Sequence, residues 1–352
     1  MTYTRPDRTT TRNPAEDERG VALIVCLLIM ASLTVVVFEF HYEVQVDTAL
    51  VANSFQALEA EYAARSGVAF CLAMLRQDAE LDLTLPPENR TDNLAEQWVA
   101  GLEPTQVARG TVAARISDED GKLNINGVVD EKKPTDADGR ALNQLIQLFT
   151  ELEMLSEADP VQLTNLICDW VDPDSVQRDG GAETPYYESL PVPYICKNSW
   201  FDSIEELALV RGFSPEMIFS QRVVTETGLY SEEEIIPGLA DFLTVHGRRL
   251  GRININTAPE PVLRALFYET PPVAETIISQ RAAAPFTGLK DLQQRVPQKF
   301  GTGVNVSFRS DHFSILSEGN VHGVPVSIQT VVRRIVTARG ISFDTVAWKV
   351  LR

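Results

Sequence analysis

The sequence predicts an α+β protein: a long N-terminal helix that starts in a membrane and packs on an antiparallel sheet. Three observations predict it. Val21–Phe38, VALIVCLLIMASLTVVVF, is a run of 18 residues without a charge, about the least that spans a bilayer as a helix. From Val21 to Leu75 there is no Pro and the only Gly is Gly67, so nothing in the chain stops the helix at the membrane. Near the other end, Ser307–Val336 alternates apolar and polar residues as half-buried strands do.

The N-terminal element sets the compartment. A polar leader, residues 1–20, precedes the span with four Arg and four Asp or Glu. Arg5, Arg8, Arg12 and Arg19 lie before the span and Glu39, Glu43 and Asp47 after it, which orients the leader to the cytoplasm and the bulk to the far side. A small-residue cleavage site after the apolar run is absent, unlike an ordinary secretory signal. Beyond the span, Val44, Phe55, Leu58, Tyr62 and Leu72 recur as a helical stripe. The helix is read as 21–78, with the span at 21–38.

Residues 79–130 begin the sheet domain. Pro86–Pro87 ends the helix, a short helix-like piece follows at Asn93–Gly101, and TVAARISDEDGKLNING reads as two β segments about an Asp-Gly turn. Residues 131–250 are read as a separate, mainly helical stretch. It opens on a helix from Asp136 to Glu157, with Leu142, Leu145, Ile146, Phe149 and Leu152 on one face. Its acidic loop, 168–200, then gathers Asp169, Asp172, Asp174, Asp179, Glu183 and Asn198 in a stretch rich in Pro and Gly. A long irregular loop needs something to hold it. A hard cation such as Ca2+, which takes six to eight oxygens, would serve; solvated carboxylates in turns are the plainer reading. Cys168 and Cys196 flank the loop and are either a disulfide of an oxidising compartment or two small buried residues.

Ser203–Ser220 reads helix, Gly turn, helix. Residues 251–352 carry a second helical hairpin, 257–295, with Thr257 as the cap of a helix starting at Ala258–Pro259. The rest of the sheet follows, as about three strands with turns at Gly319–Asn320 and His322–Pro325 and a further strand in ISFDTVAWKVLR. GKLNING, from Gly121, and GRININT, from Gly251, echo each other. Each is read as a strand of the sheet domain beside that helical stretch, not as a phosphate loop or a true repeat.

The bulk charge limits function. A formal net of −18 over 352 residues argues against a protein that tracks a phosphate backbone. No GxSxG, HExxH or Walker pattern occurs, and His41, His246, His312 and His322 are scattered, so the chain is not read as an enzyme.

Arg19–Gly20 directly before an apolar run resembles the leader of type IV pilins and type II secretion pseudopilins. The resemblance implies cleavage by a prepilin peptidase between Gly20 and Val21 and methylation of Val21. Most such proteins have Glu at mature position five; Val25 stands there. That departure is similar to the minor pseudopilin K family, whose position at the tip leaves no subunit above to pair with a buried carboxylate. The loop is similar too: Asp169–Trp170, Asp172, Asp174, Gly181–Ala182–Glu183, Tyr186–Tyr187, Pro193–Tyr194 and Lys197–Asn198 match that family's loop.

The resemblance implies a pilin-like sheet with an inserted helix–hairpin–helix (SAM-like) α-domain. It implies Ca2+ held by Asp172, Asp174, Glu183 and Asn198, with Asp169 and Asp179 as lesser candidates. Implied partners are pseudopilins I and J, with H as a further one, the prepilin peptidase and an inner-membrane assembly platform, in export of folded proteins. The resemblance, with the span, implies a place in a bacterial inner membrane with the bulk periplasmic. Two rivals share the outline: a membrane-anchored helix–hairpin–helix DNA receptor, since INTA…L and the later helix resemble such modules, and a minor pilin of a type IV pilus. Acidic residues at both hairpin turns, Glu216 and Glu269, disfavour phosphate binding.

Overall fold

In a computed structural model, residues 14–130, 133–137, 139–152, 155, 158–227, 230–247, 252–298, 305–337 and 340–351 are described. The leader residues 1–13 therefore lie outside them. Helix α1 runs Pro14–Thr84 and stops ahead of Pro86–Pro87, as expected. The chain divides into two compact units, residues 1–59 and 60–352. In the first, the helix is long and apolar enough to cross a membrane, and none of its apolar window is buried.

In the second unit, β1 (Leu102–Val107) and β2 (Gly110–Asp118) precede the small strands β3 (Leu123–Asn124), β4 (Val129–Asp130) and β5 (Lys133–Ala137). Helices α2 (Gly139–Glu151), α3 (Pro160–Val171), α4 (Thr184–Glu188) and α5 (Pro215–Ile218) follow. Then come strands β6 (Gln221–Thr227), β7 (Tyr230–Ile236), β8 (Leu243–Thr244) and β9 (Ile253–Asn254). After α6 (Glu260–Leu266), α7 (Pro271–Ala283) and α8 (Leu289–Arg295), the chain ends in β10 (Val306–Ser307), β11 (His312–Val321), β12 (Val324–Thr337) and β13 (Gly340–Leu351).

One antiparallel sheet has the order β1-β2-β11-β12-β13. β2 and β11 bury alternate residues, and α1 lays Ala64, Val68, Cys71 and Leu75, three or four residues apart, against them. Trp98 closes this core edge-on against Phe313 at 5.4 Å. A second core runs from Leu123 to Val296, with Phe308 at its margin, and is shared by α2, α3, α6 and α7. Helices from 139–171 and from the hairpin 257–295 thus bury into one cluster, reached by the chain leaving β2 and re-entering at β11.

Several expectations are corrected. GKLNING and GRININT are not strands of the large sheet. β3 pairs in parallel with β8, and β9 with β10, as two separate two-stranded units. The echo is a repeated device: Asn126 exchanges two hydrogen bonds with the backbone of Phe201, at 2.8 and 3.0 Å, and Asn256 does the same with Phe286, at 2.8 and 2.9 Å. Gly319–Asn320 is not a turn but lies inside β11, because a Cβ at Gly319 would overlap the carbonyl of Ala60 on α1. The first insertion helix begins at Gly139, since Lys133–Ala137 is strand. The first half of the 203–220 hairpin is a 3-10 helix, Ile204–Leu209. Thr257 does not cap α6, which starts two residues beyond Ala258, at Glu260; its hydroxyl donates to Asp118 instead, at 2.5 Å.

Candidate cation site in the acidic loop

Helix α3 delivers the first carboxylates. Asp159 caps it by accepting from the backbone N–H of Val161 and Gln162, and Pro160 occupies its first position. Asp169 and Asp172, three residues apart, leave its last turn on one side. Both are fully buried, at 0% and 1% exposure. Trp170 between them packs on Tyr187 at 5.3 Å, Tyr194 at 6.4 Å and Phe201 at 6.4 Å. This aromatic group lines the loop's inner wall and shuts out water.

The loop returns its own oxygens to the end of α3. Asp174 accepts the Val176 N–H at 2.8 Å in a side-chain turn, and its carbonyl accepts the Asn198 amide at 2.6 Å. Asn198 holds a left-handed backbone, φ 46°, which Asn tolerates better than most residues. Glu183 precedes α4 without capping it by its side chain. Asp172, Asp174 and Glu183 each offer an oxygen, all within 4.8 Å of one another. Asp172 Oδ1, both Glu183 oxygens and Asn198 Oδ1 are buried without a hydrogen-bond partner. Every one of these is an acceptor, and such a set leaves a substantial desolvation cost uncompensated. The donor set fits a hard cation: it is all oxygen, mixes carboxylates with an amide, and sits on an irregular loop.

Asp169 and Asp179 stand apart from this group. Asp169 accepts the Arg178 backbone N–H at 3.2 Å and fixes the turn 178–181; a Cβ at Gly181 would overlap its carboxylate, so this close approach requires Gly. Asp179 is exposed and contributes its carbonyl to Asn165 at 2.9 Å. Cys168 and Cys196 are buried and not bonded to each other in this structure; the Cys196 thiol faces the Asp169 carbonyl at 3.3 Å.

Electrostatics agree with surplus negative charge. Burial, then repulsion from Asp169, Asp172 and Asp174, pushes Glu183 up to about 7. Burial also raises Asp169 to about 6 and raises Asp172. The only guanidinium in the loop is Arg178, 3.0 Å from Asp172 Oδ2 and 3.5 Å from Asp169 Oδ1. Sequence reasoning passed over it; the signal was one cation between Asp172 and Glu183 in an acidic stretch.

The hairpin turns offer no phosphate cradle of the usual kind. Arg211, beside Gly212, lies over the Tyr186 ring at 4.7 Å, so its charge is spent on an aromatic face. Tyr268, near the second turn, donates to Glu269 at 3.1 Å.

Two family models of type II secretion system protein K match the chain, at residues 121–222 and 253–307. The chain is 28% identical over 308 residues to type II secretion system protein K of Pseudomonas aeruginosa, covering 86% of this chain and 84% of that one. The two models and this relative support type II secretion system protein K as the family of this chain. It is 29% identical over 209 residues to the protein K of Aeromonas hydrophila, covering 56% of this chain and 60% of that one. The solved GspK-GspI-GspJ complex from enterotoxigenic Escherichia coli contains a chain of similar fold. The TM-score is 0.57 at 18% identity, covering 87% of this chain and 99% of that one. The same matches support a minor pseudopilin of the type II secretion system.

Proposed function

We propose that this subunit sits at the tip of the pseudopilus, where it initiates or caps assembly and supports export of folded proteins across the outer membrane. The observation that carries the reading is the insertion of a second, larger core between β2 and β11 of a sheet packed on α1. A subunit with that bulk on one end of its sheet leaves little room for another above it. The span holds the chain in the inner membrane, with the bulk periplasmic, after a prepilin peptidase cuts between Gly20 and Val21 and Val21 is methylated. An assembly platform then extracts it. Pseudopilins I and J are the nearest partners, a reading supported by the solved GspK-GspI-GspJ complex, with H a further candidate. Pull-down of the full chain in detergent against I, J and H tests this. Capture of I and J is expected; capture of none, or tight salt-sensitive DNA binding in a gel shift, overturns it.

Asp172, Asp174, Glu183 and Asn198 would hold the Ca2+ ion. Bound there, the ion supplies positive charge to acceptors that have none and ties the loop to α3. Chelation by EDTA is expected to lower the melting temperature and expose loop 168–200 to protease, and added Ca2+ to restore both. An unchanged melting temperature and digestion pattern would reject the metal.

A further inference from the structure

Of the two cations in the acidic loop, Lys197 pairs with Asp202 and Glu206 outside it, and Arg178 lies among the carboxylates, where the loop's backbone does not need its guanidinium. The turn at 178–181 is fixed by the Arg178 N–H on Asp169 at 3.2 Å and the Gly181 N–H on the Arg178 carbonyl at 3.0 Å. Side chains from α3 clamp it from outside: Gln162 on the Gly180 carbonyl at 3.2 Å and Asn165 on the Asp179 carbonyl at 2.9 Å. Gln177 reaches the Gly181 carbonyl at 2.9 Å. None of these bonds uses the guanidinium. The guanidinium is free to do one thing, which is to hold positive charge against Asp172 Oδ2 and Asp169 Oδ1, while Asp172 Oδ1 stays unpartnered on the other side.

We infer that Arg178 tunes the cation site. It takes one oxygen of Asp172 and places a fixed positive charge beside the ion, which lowers affinity and penalises ions in proportion to their charge. The inference rests on the cation reading proposed above. Carboxylate count sets the affinity of calcium loops, and the site gathers three, Asp172, Asp174 and Glu183. With Arg178 in place the three carboxylates carry the net charge of two. The site then favours a divalent ion over a trivalent one and binds it more weakly than its acid content suggests, so that occupancy follows calcium in the compartment.

Titration of the full chain in detergent with Ca2+ by calorimetry and with Tb3+ by luminescence tests this. Arg178→Gln should bind Ca2+ roughly tenfold tighter, as expected for removing a unit charge some 6 Å from a divalent ion in high dielectric. It should bind Tb3+ tighter by a larger factor, and Arg178→Lys should stay near wild type. Arg178→Met, a second neutral variant, should behave as Arg178→Gln. A purely structural role would instead weaken both ions alike. The inference is overturned if either folded neutral variant binds both ions no better than wild type. Wild-type binding with unaltered variants rejects this inference alone; absence of binding in every form rejects the metal as well.

Discussion

Asn126 and Asn256 each use one carboxamide to satisfy both backbone groups of a distant Phe, at positions 201 and 286. Both Asn are 3% exposed, so nothing else can reach those backbone groups. Asn126→Ala or Asn256→Ala would leave a buried N–H and C=O unmade and cost about 2–4 kcal/mol each, read as a lower urea midpoint. Asn256→Asp keeps the acceptor for the Phe286 N–H but loses the donor to its carbonyl, and should be destabilising as well. The alternation of the two Asn was plain in the sequence, but their partners lie 75 and 30 residues away, and a period of two looked like a strand. The same limit applies in the acidic loop. Asp172, Asp174 and Glu183 were legible as oxygen donors. The withdrawal of Asp169 into a turn and the charge of Arg178 against it depend on how the chain folds back, which spacing does not encode.

Where α1 meets the sheet, the element is held by close approach and by buried charge. Gly319→Ala would force a Cβ into the Ala60 backbone, part strand from helix, and cost about 1–3 kcal/mol; a normal melting temperature would refute the contact. At the helix's end, Asp78 and Asp82 meet Asp92 and Glu96 from the following segment and Arg334 from β12, with Arg309 and Arg90 at the margin. Arg334 is 2.6 Å from Asp92 and 3.8 Å from Asp78. Burial, then repulsion within the group, pushes Asp78 to about 7 and Glu96 to about 8. The folded state therefore binds more protons than the unfolded one. Its stability from these groups is full below their unfolded values and is lost as pH rises through about 7 to 8. Melting temperature in EDTA should fall between pH 6 and about 8.5 and fall less steeply in Glu96→Gln; equal slopes would reject Glu96 as the source. The helix itself was legible from its Pro-free length and stripe. The turn misplaced at Gly319 was not, because the Gly there serves packing between layers and not chain reversal.

The two cores of the larger unit are joined where the chain leaves β2 and comes back to β11, and the joint is built around one carboxylate. Asp118, the last residue of β2, accepts from the hydroxyls of Thr257 and Ser310, from the Asn254 amide at 3.4 Å and from the Asp120 N–H at 2.8 Å. Asp120 extends the seam: its carbonyl accepts the Asn254 N–H at 2.9 Å and its carboxylate the Asp311 N–H at 2.6 Å. Thr257 and Asn254 belong to the segment that opens α6, so the sheet and the helical core share these bonds; Glu119 beside them accepts from Thr244 and Ser314. The sequence showed that something is inserted between the two halves of the sheet, since acidic helical segments interrupt alternating ones. It could not show that an Asp-Gly turn and an Asn-Thr string 130 residues apart would meet. Coupling through this seam should make unfolding of the two cores one event. Asp118→Asn puts an amide donor among four donors and should uncouple them, giving two calorimetric transitions where wild type gives one. Thr257→Val, which removes a single donor, should shift the transition without splitting it. On the tip placement proposed above, the sheet and the helical core must hold together during assembly, so Asp118→Asn should keep the proposed Ca2+ binding in loop 168–200 yet assemble poorly with I and J. Loss of ion binding together with the split would mean that the helical core depends on the sheet to fold, and that the seam is structural support and not a coupling.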